Sequence, residues 1–169
     1  PRTTSGLWQS SREQKTAMGK AKGFMETSRL GSPYRDRDER VKDWKLAQAS
    51  LSVPELKDQA SRCMDCGIPF CASDVGCPLG NLCPDWNDLV FRDKWEDALQ
   101  RLHSTNNFPE FTGLICPAPC ESACVLGLNG EGVTNKPIEY EIIRNGIEQG
   151  WIKPEKPGVG TGRRFGVVG

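Results

Sequence analysis

Seven of the eight cysteines fall into two short runs, Cys63-x2-Cys66-x4-Cys71-x5-Cys77-Pro and Cys116-Pro-x2-Cys120-x3-Cys124. No other feature constrains the fold as strongly, because a chain with thiols at these spacings must bring them to shared sites. Two such runs separated by a helical stretch can hold two iron–sulfur cubanes, each run lending its last or first ligand to the other cluster. The sequence is therefore read first as an electron carrier.

Two other uses of cysteine compete with that reading. Disulfides would suit eight thiols, but the amino end carries no secretory signal, and half-cystines spaced by two to four residues are poorly placed for long-range stapling. Zinc is the stronger rival, since Cys-x2-Cys is a common knuckle, yet zinc knuckles come in pairs of nearly equal spacing. Here the spacings are uneven, and Cys-Pro recurs at 77–78, 83–84 and 116–117. A proline after the ligand is typical of iron–sulfur loops.

Composition fits a small core that needs inorganic help. The chain has 169 residues, with 18 Gly and 12 Pro. Its mean hydropathy is -0.53. A domain of this size and polarity has a modest apolar interior and much irregular chain. Acidic and basic residues balance at 22 each. That balance leaves no polyelectrolyte face for nucleic acid or an anionic membrane, so the expected partners are proteins. No apolar run approaches the roughly 20 residues of a membrane helix, so no membrane insertion is expected. The expected setting is intracellular and soluble, either cytoplasm or an organelle such as a mitochondrion or plastid.

Three regions are expected: an arm or linker over 1–22, an iron–sulfur domain over 23–153, and a linker with an opening strand over 154–169. The amino end starts at Pro1 and is basic and hydroxyl-rich, as a linker or a remnant of organelle targeting would be. At the other end, Gly162-Arg163-Arg164-Phe165-Gly166-Val167-Val168-Gly169 reads as a basic turn followed by the start of a buried strand. A larger protein is expected to continue beyond it.

Between these ends the pattern is helical. Ser52-x-x-Glu55 predicts a capping box, with Pro54 in the first turn, and Leu56, Ala60, Cys63 and Cys66 follow at helical intervals. That helix would carry the first two thiols on one face. Pro69, Gly76, Pro78 and Gly80 then place Cys71 and Cys77 on loop. Helices are predicted over Asp85–Arg92 and Asp93–His103, the second with a packing stripe of Trp95, Ala98, Leu99 and Leu102. A loop is expected over Asn106–Gly113. Pro119 should open a helical turn with Cys120 and Cys124 on one side, and a last helix should span Lys136–Gln149, capped by Asn135 and ended by Gly150.

Two cubanes need eight ligands, and the runs supply seven. Cys83 is the obvious eighth, but it lies at the entry to a helix, beyond the compact loop. The alternative is Glu139, which shares a helix face with Ile142 and Ile143 and so points inward. A buried carboxylate is costly unless paired or bound to metal. Its plainer role is a first-turn acid favoured by the helix dipole.

Four linked motifs resemble a known family. Cys63-Met-Asp-Cys66-Gly-Ile-Pro-Phe-Cys71, Gly76-Cys77-Pro-Leu-Gly-Asn81, Asn106-Asn107-Phe-Pro-Glu-Phe-Thr-Gly113 and Cys116-Pro-Ala-Pro-Cys120-Glu-Ser-Ala-Cys124-Val-Leu-Gly127 are similar to the amino-terminal iron–sulfur domain of the glutamate synthase small (beta) subunit. Related domains occur in dihydropyrimidine dehydrogenase and in electron-bifurcating transhydrogenase. The resemblance runs from about Gly23 to Gly169 and implies a mainly α fold, an α-helical ferredoxin domain with two [4Fe–4S] clusters. It implies Cys63, Cys66, Cys71 and Cys124 for one cluster, and Cys77, Cys116 and Cys120 for the other. Some relatives complete the second cluster with Glu or Gln near the start of the last helix, where Glu139 stands. Cys83 occupies a position usually aliphatic in the family, and is left as a buried or idle thiol. Leu114 stands where the family usually has Arg, and loss of that cation would lower the potential of the neighbouring cluster or weaken a partner contact.

The resemblance also implies that Arg164 to Gly169 open an FAD-binding Rossmann domain, whose glycine-rich turn needs residues beyond this sequence. FAD and NAD(P)H would then belong to a following domain, and this chain would have no catalytic residue of its own. His103, the only histidine, reads as a surface or capping residue. Arg62 and Lys94 are candidate countercharges for the anionic clusters. Two functions follow. One is an electron relay from FAD to FMN in an NAD(P)H-dependent glutamate synthase, partnered by its flavin-containing large subunit. The other is a free-standing cluster subunit recruited into a larger, organellar (respiratory) redox complex for electron passage or scaffolding.

Overall fold

The computed structural model describes residues 20–154, 158, 160, 162–164 and 166–168. Within them the chain forms α1 (Gly23–Glu26), α2 (Arg37–Arg40), α3 (Val53–Ala60), α4 (Cys83–Phe91), α5 (Trp95–His103), α6 (Pro109–Ile115), α7 (Pro119–Ser122) and α8 (Asn135–Glu148). Short 3-10 turns occur at Phe70–Ala72 and Val125–Leu128. Extended pairing among the described residues is limited to one antiparallel bridge, Tyr34 with Gln48. The fold is mainly α, as the sequence predicts. Residues 1–19 of the expected arm lie outside the described residues, and Val167 and Val168 are exposed.

The predicted capping box forms at α3. The Ser52 hydroxyl accepts from the Glu55 amide at 3.5 Å, and the Glu55 carboxylate accepts from the Ser52 amide at 2.7 Å. Two of the orphan donors at the helix start are thereby satisfied. The helix stops at Ala60, and this corrects the sequence reading: Cys63 and Cys66 lie beyond it on irregular chain. Locally, the Arg62 and Cys63 amides bond three residues back, to Gln59 and Ala60, and Asp65 takes a left-handed φ of 49° that no helix continues through.

α8 is the hub, packing against α3, α4, α5, α6 and α7. Leu56, Trp86, Val90, Leu102, Ile138 and Ile142 are fully buried where these helices meet. Between α4 and α5 the break falls at Asp93, with φ 64°. The α4 helix begins at Cys83, two residues before the predicted start, with Pro84 in its first turn, where a missing amide hydrogen costs nothing.

Two further expectations are corrected. The stretch read as a loop over Asn106–Gly113 contains most of α6, which starts on Pro109 as a first-turn proline. Its entry is fixed by Asn106, whose side-chain oxygen accepts from the Phe108 amide at 3.0 Å. Cys120 and Cys124 do not share a helix either, because α7 ends at Ser122 and Cys124 is extended (φ -64°, ψ 128°). Gly132 explains the turn away: a Cβ there would sit 2.4 Å from the Glu121 carbonyl oxygen and 3.1 Å from Cys124 Cβ. The returning strand of chain is thus pressed against the end of α7.

Candidate iron–sulfur site

All eight cysteines are free thiols. Cys63, Cys66, Cys71 and Cys124, the four grouped by resemblance, border one cleft together with Cys83, and Asn87, Leu126, Val133 and Asn135 close its walls. Three of these cysteines come from the loop after α3 and the fourth from the loop after α7, so the fold joins the two sequence runs. Among the described residues, no three His, Cys, Asp or Glu side chains converge on a point that one ion could occupy.

The thiols differ in their electrostatics. Burial pushes the Cys63 thiol up to about 12, with the neighbouring Cys71 and Cys124 adding to the rise. Cys66 is also raised, chiefly by burial. A neutral thiol is favoured in such surroundings until a metal replaces its proton.

Cys83 is 2% exposed and lies in the core beside Cys71 and Cys120. The two neighbouring thiols, together with burial, raise its pKa, while its proximity lowers Cys71 and Cys120. Cys83 therefore sits between a cysteine of the first group and one of the second.

Of the second group, Cys120 is buried beside Asn135 and Glu139 of α8. Cys116 follows α6, with its amide on the Thr112 carbonyl at 3.0 Å, and its sulfur accepts from the Ala118 amide at 3.3 Å. Ala118 has a left-handed φ of 57°, an uncommon conformation for a residue with a side chain. Cys77 is half-buried at the edge of the core, with its amide on the Cys71 carbonyl at 2.9 Å. Gly76 makes that turn possible, because a Cβ would lie 2.4 Å from the Phe70 carbonyl oxygen.

Glu139 points inward, as its Ile142 and Ile143 neighbours predict, and is 7% exposed. Sequence reasoning missed its partners: Asn106 Nδ2 donates to Oε1 at 3.1 Å, and the Thr112 hydroxyl donates to the same oxygen. Both belong to the Asn106 to Gly113 motif, so the signal lay in the sequence without a role attached. Burial raises the Glu139 pKa, with Thr112 and Lys136 pulling it back. The arrangement leaves Oε2 as the oxygen a metal could take.

Other candidates fall elsewhere. His103 is half-buried at the end of α5, beside a hollow lined by Trp151. Lys94 is exposed at the α4–α5 junction, whereas Arg62 is buried and feels the Cys124 charge. Leu114 lines a separate cleft with Arg29, Lys136 and Glu121.

The residues present fit [4Fe–4S] ligation: free thiols on two runs and an amide aimed at the Cys116 sulfur. Comparison with known proteins agrees. Residues 40–151 match the family described as dihydropyrimidine dehydrogenase domain II, 4Fe-4S cluster. The chain is 56% identical over 130 residues to the glutamate synthase [NADPH] small chain of Mycobacterium tuberculosis, covering 77% of this chain and 26% of that protein. It is 50% identical over 159 residues to the corresponding Bacillus subtilis small chain, covering 90% and 32%. With glutamate synthase [NADH] of Schizosaccharomyces pombe it shares 49% over 152 residues, 90% of this chain and 7% of that protein. The chain thus spans a third or less of the curated relatives it matches. With two-thirds of its residues inside the matched region and both cysteine runs included, the chain belongs to the dihydropyrimidine dehydrogenase domain II family of 4Fe-4S cluster domains.

Proposed function

We propose that this chain is the iron–sulfur electron-transfer domain of an NAD(P)H-dependent glutamate synthase. Cys63, Cys66, Cys71 and Cys124 would hold one [4Fe–4S] cluster, and Cys77, Cys116, Cys120 and Glu139 the other. The observation that carries the reading is the cleft that brings Cys124 to the Cys63–Cys71 loop, with Cys83 linking it to Cys120. When bound, the clusters supply one-electron acceptor and donor states, so the two electrons of a hydride delivered from NAD(P)H to FAD can leave singly toward FMN.

The residues of this chain then hold and insulate. Leu126, Val133 and the core face of α4 keep water from the thiol cleft, and the Ala118 amide donates to the Cys116 sulfur. Low exposure and such donors help set a cluster's potential. Residues 154–169 would link to a following nucleotide-binding domain holding FAD and NAD(P)H, with residues 1–22 as a linker. The large, flavin-containing synthase subunit or portion would be the partner. No helix among the described residues is long and apolar enough to cross a membrane.

Metal analysis of anaerobically purified protein tests the reading. Iron and acid-labile sulfide should each approach about eight per chain, the content of two cubanes. Zinc in place of iron would refute it. Glu139→Ala should lower the iron count toward about four or leave a three-iron signal in electron paramagnetic resonance. Two intact cubanes in that variant would remove Glu139 from the ligand set. Cys83→Ala, by contrast, should keep both clusters and cost only about 1 kcal/mol, the loss from a small buried truncation. A halved iron content would instead make Cys83 the eighth ligand.

A further inference from the structure

Arg62 stands immediately before the first ligand and is 5% exposed. Burying a guanidinium is expensive unless a counterion or a full set of acceptors accompanies it. Its acceptors here are neutral: Nη1 donates to the Gly132 carbonyl at 3.0 Å and Nη2 to the Glu131 carbonyl at 2.8 Å, while Nε is buried with no hydrogen-bond partner. Three charges act on it: Arg29, which is engaged with Glu121, the exposed Glu131, and Cys124. Glu131 is exposed to solvent, whereas Cys124 is half-buried and is negative only as a thiolate.

The same side chain ties the first run to the segment that follows the second. It leaves the chain beside Cys63 and holds the carbonyls of Glu131 and Gly132, and a Cβ at Gly132 would lie 3.1 Å from Cys124 Cβ. A cation so placed is one residue from Cys63 and is held by the segment packed against Cys124. The Glu131–Gly132 carbonyls fix its position.

We infer that Arg62 is the buried countercharge of the cluster held by Cys63, Cys66, Cys71 and Cys124, and that it raises the potential of that cluster relative to the other. The inference rests on the ligand assignment proposed above. Four thiolates on a [4Fe–4S] core leave a net negative charge that grows on reduction, so a fixed cation nearby stabilises the reduced form more than the oxidised one. Arg62 is a positioning and charge-compensating residue. It is not itself a ligand.

The test compares Arg62→Gln, which keeps an amide donor for one carbonyl but loses the charge, with Arg62→Lys, which keeps the charge but loses the fork. Both are made in the complete native polypeptide and titrated by potential-poised electron paramagnetic resonance, alongside iron and sulfide analysis. Arg62→Gln should move one of the two midpoint potentials to a lower value and leave the other in place, and Arg62→Lys should restore it. Unmoved potentials in Arg62→Gln, or an equal drop in Arg62→Lys, would overturn the inference and leave Arg62 as a tie between loops. Should Arg62→Gln assemble too little cluster to titrate, Arg62→Lys decides: retention of the unmodified potential supports the countercharge, and a drop overturns it. Failure of the underlying ligand assignment is distinguishable, because it would show as missing iron and sulfide in the unmodified protein.

Discussion

Stripping iron from the purified protein with an anaerobic chelator should lower its melting temperature by more than about 10 °C, the shift that roughly 3 kcal/mol produces in a domain of this size. The physical reason lies in the stretch between Ala60 and Cys83, whose only regular structure is the turn Phe70–Ala72. Its large apolar residues face outward: Ile68 is 79% exposed, Val75 68%, and Phe70 and Leu79 51% each. Ordering a backbone costs about 1–2 kcal/mol per residue, and burial normally offsets that cost. This loop buries too little to do so. What it has instead is Cys63, Cys66, Cys71 and Cys77, so under the proposed assignment ligation would supply the missing stabilisation, and metal removal would become a folding event.

The loss should be local before it is global. The core of α3, α4, α5 and α8 is built chiefly from Leu56, Trp86, Val90, Leu102, Ile138 and Ile142, with Cys83 and Cys120 among its smaller members. Limited proteolysis of the iron-free protein should therefore cut first between residues 62 and 82, while much of the helical circular dichroism remains. An iron-free protein that melts where the loaded one does and resists cleavage in this loop would show that packing alone holds the cysteines.

What could be read from the sequence was what is local. The capping box at Ser52 and Glu55, the first-turn prolines Pro54 and Pro119 and the inward turn of Glu139 each depend on residues within one helical turn, and each is found. Helical spacing misled where it ran on past a stop: Leu56, Ala60 and Cys63 keep the period, but the helix ends at Ala60 and the left-handed Asp65 keeps it from resuming. The opposite error occurred at α6, where Asn106-Asn107 masked the first-turn signal of Pro109. Long-range partners were out of reach. Glu139 was expected inside because of Ile142 and Ile143, yet nothing near it in sequence could name Asn106 and Thr112 as its donors. Likewise Cys83 looked idle from its helix-entry position, whereas α4 packs it between Cys71 and Cys120.

Gly113→Ala should destabilise the fold by about 2–3 kcal/mol, the usual range for overpacking a close contact, and should cost the protein one cluster. Gly113 is buried in α6 where that helix crosses α8. A Cβ there would meet Tyr140 Cβ at 2.8 Å, its Cα at 2.9 Å and its amide nitrogen at 3.0 Å. Backbone atoms cannot rotate aside as a side-chain tip can, so α6 must move off α8. Thr112 and Cys116 flank this contact, and Thr112 bonds the Glu139 carboxylate. Displacing α6 therefore separates Cys116 from Glu139, two of the four proposed ligands of the second cluster. Gly146 supplies the control. A Cβ at that position in α8 would meet Leu99 Cδ2 at 2.5 Å, but this is the end of a flexible side chain, and Leu99 can change rotamer. Gly146→Ala should thus cost less in chemical denaturation and leave the iron count unchanged. Equal effects of the two substitutions, or a full iron complement in Gly113→Ala, would mean that the α6–α8 contact does not govern the second site.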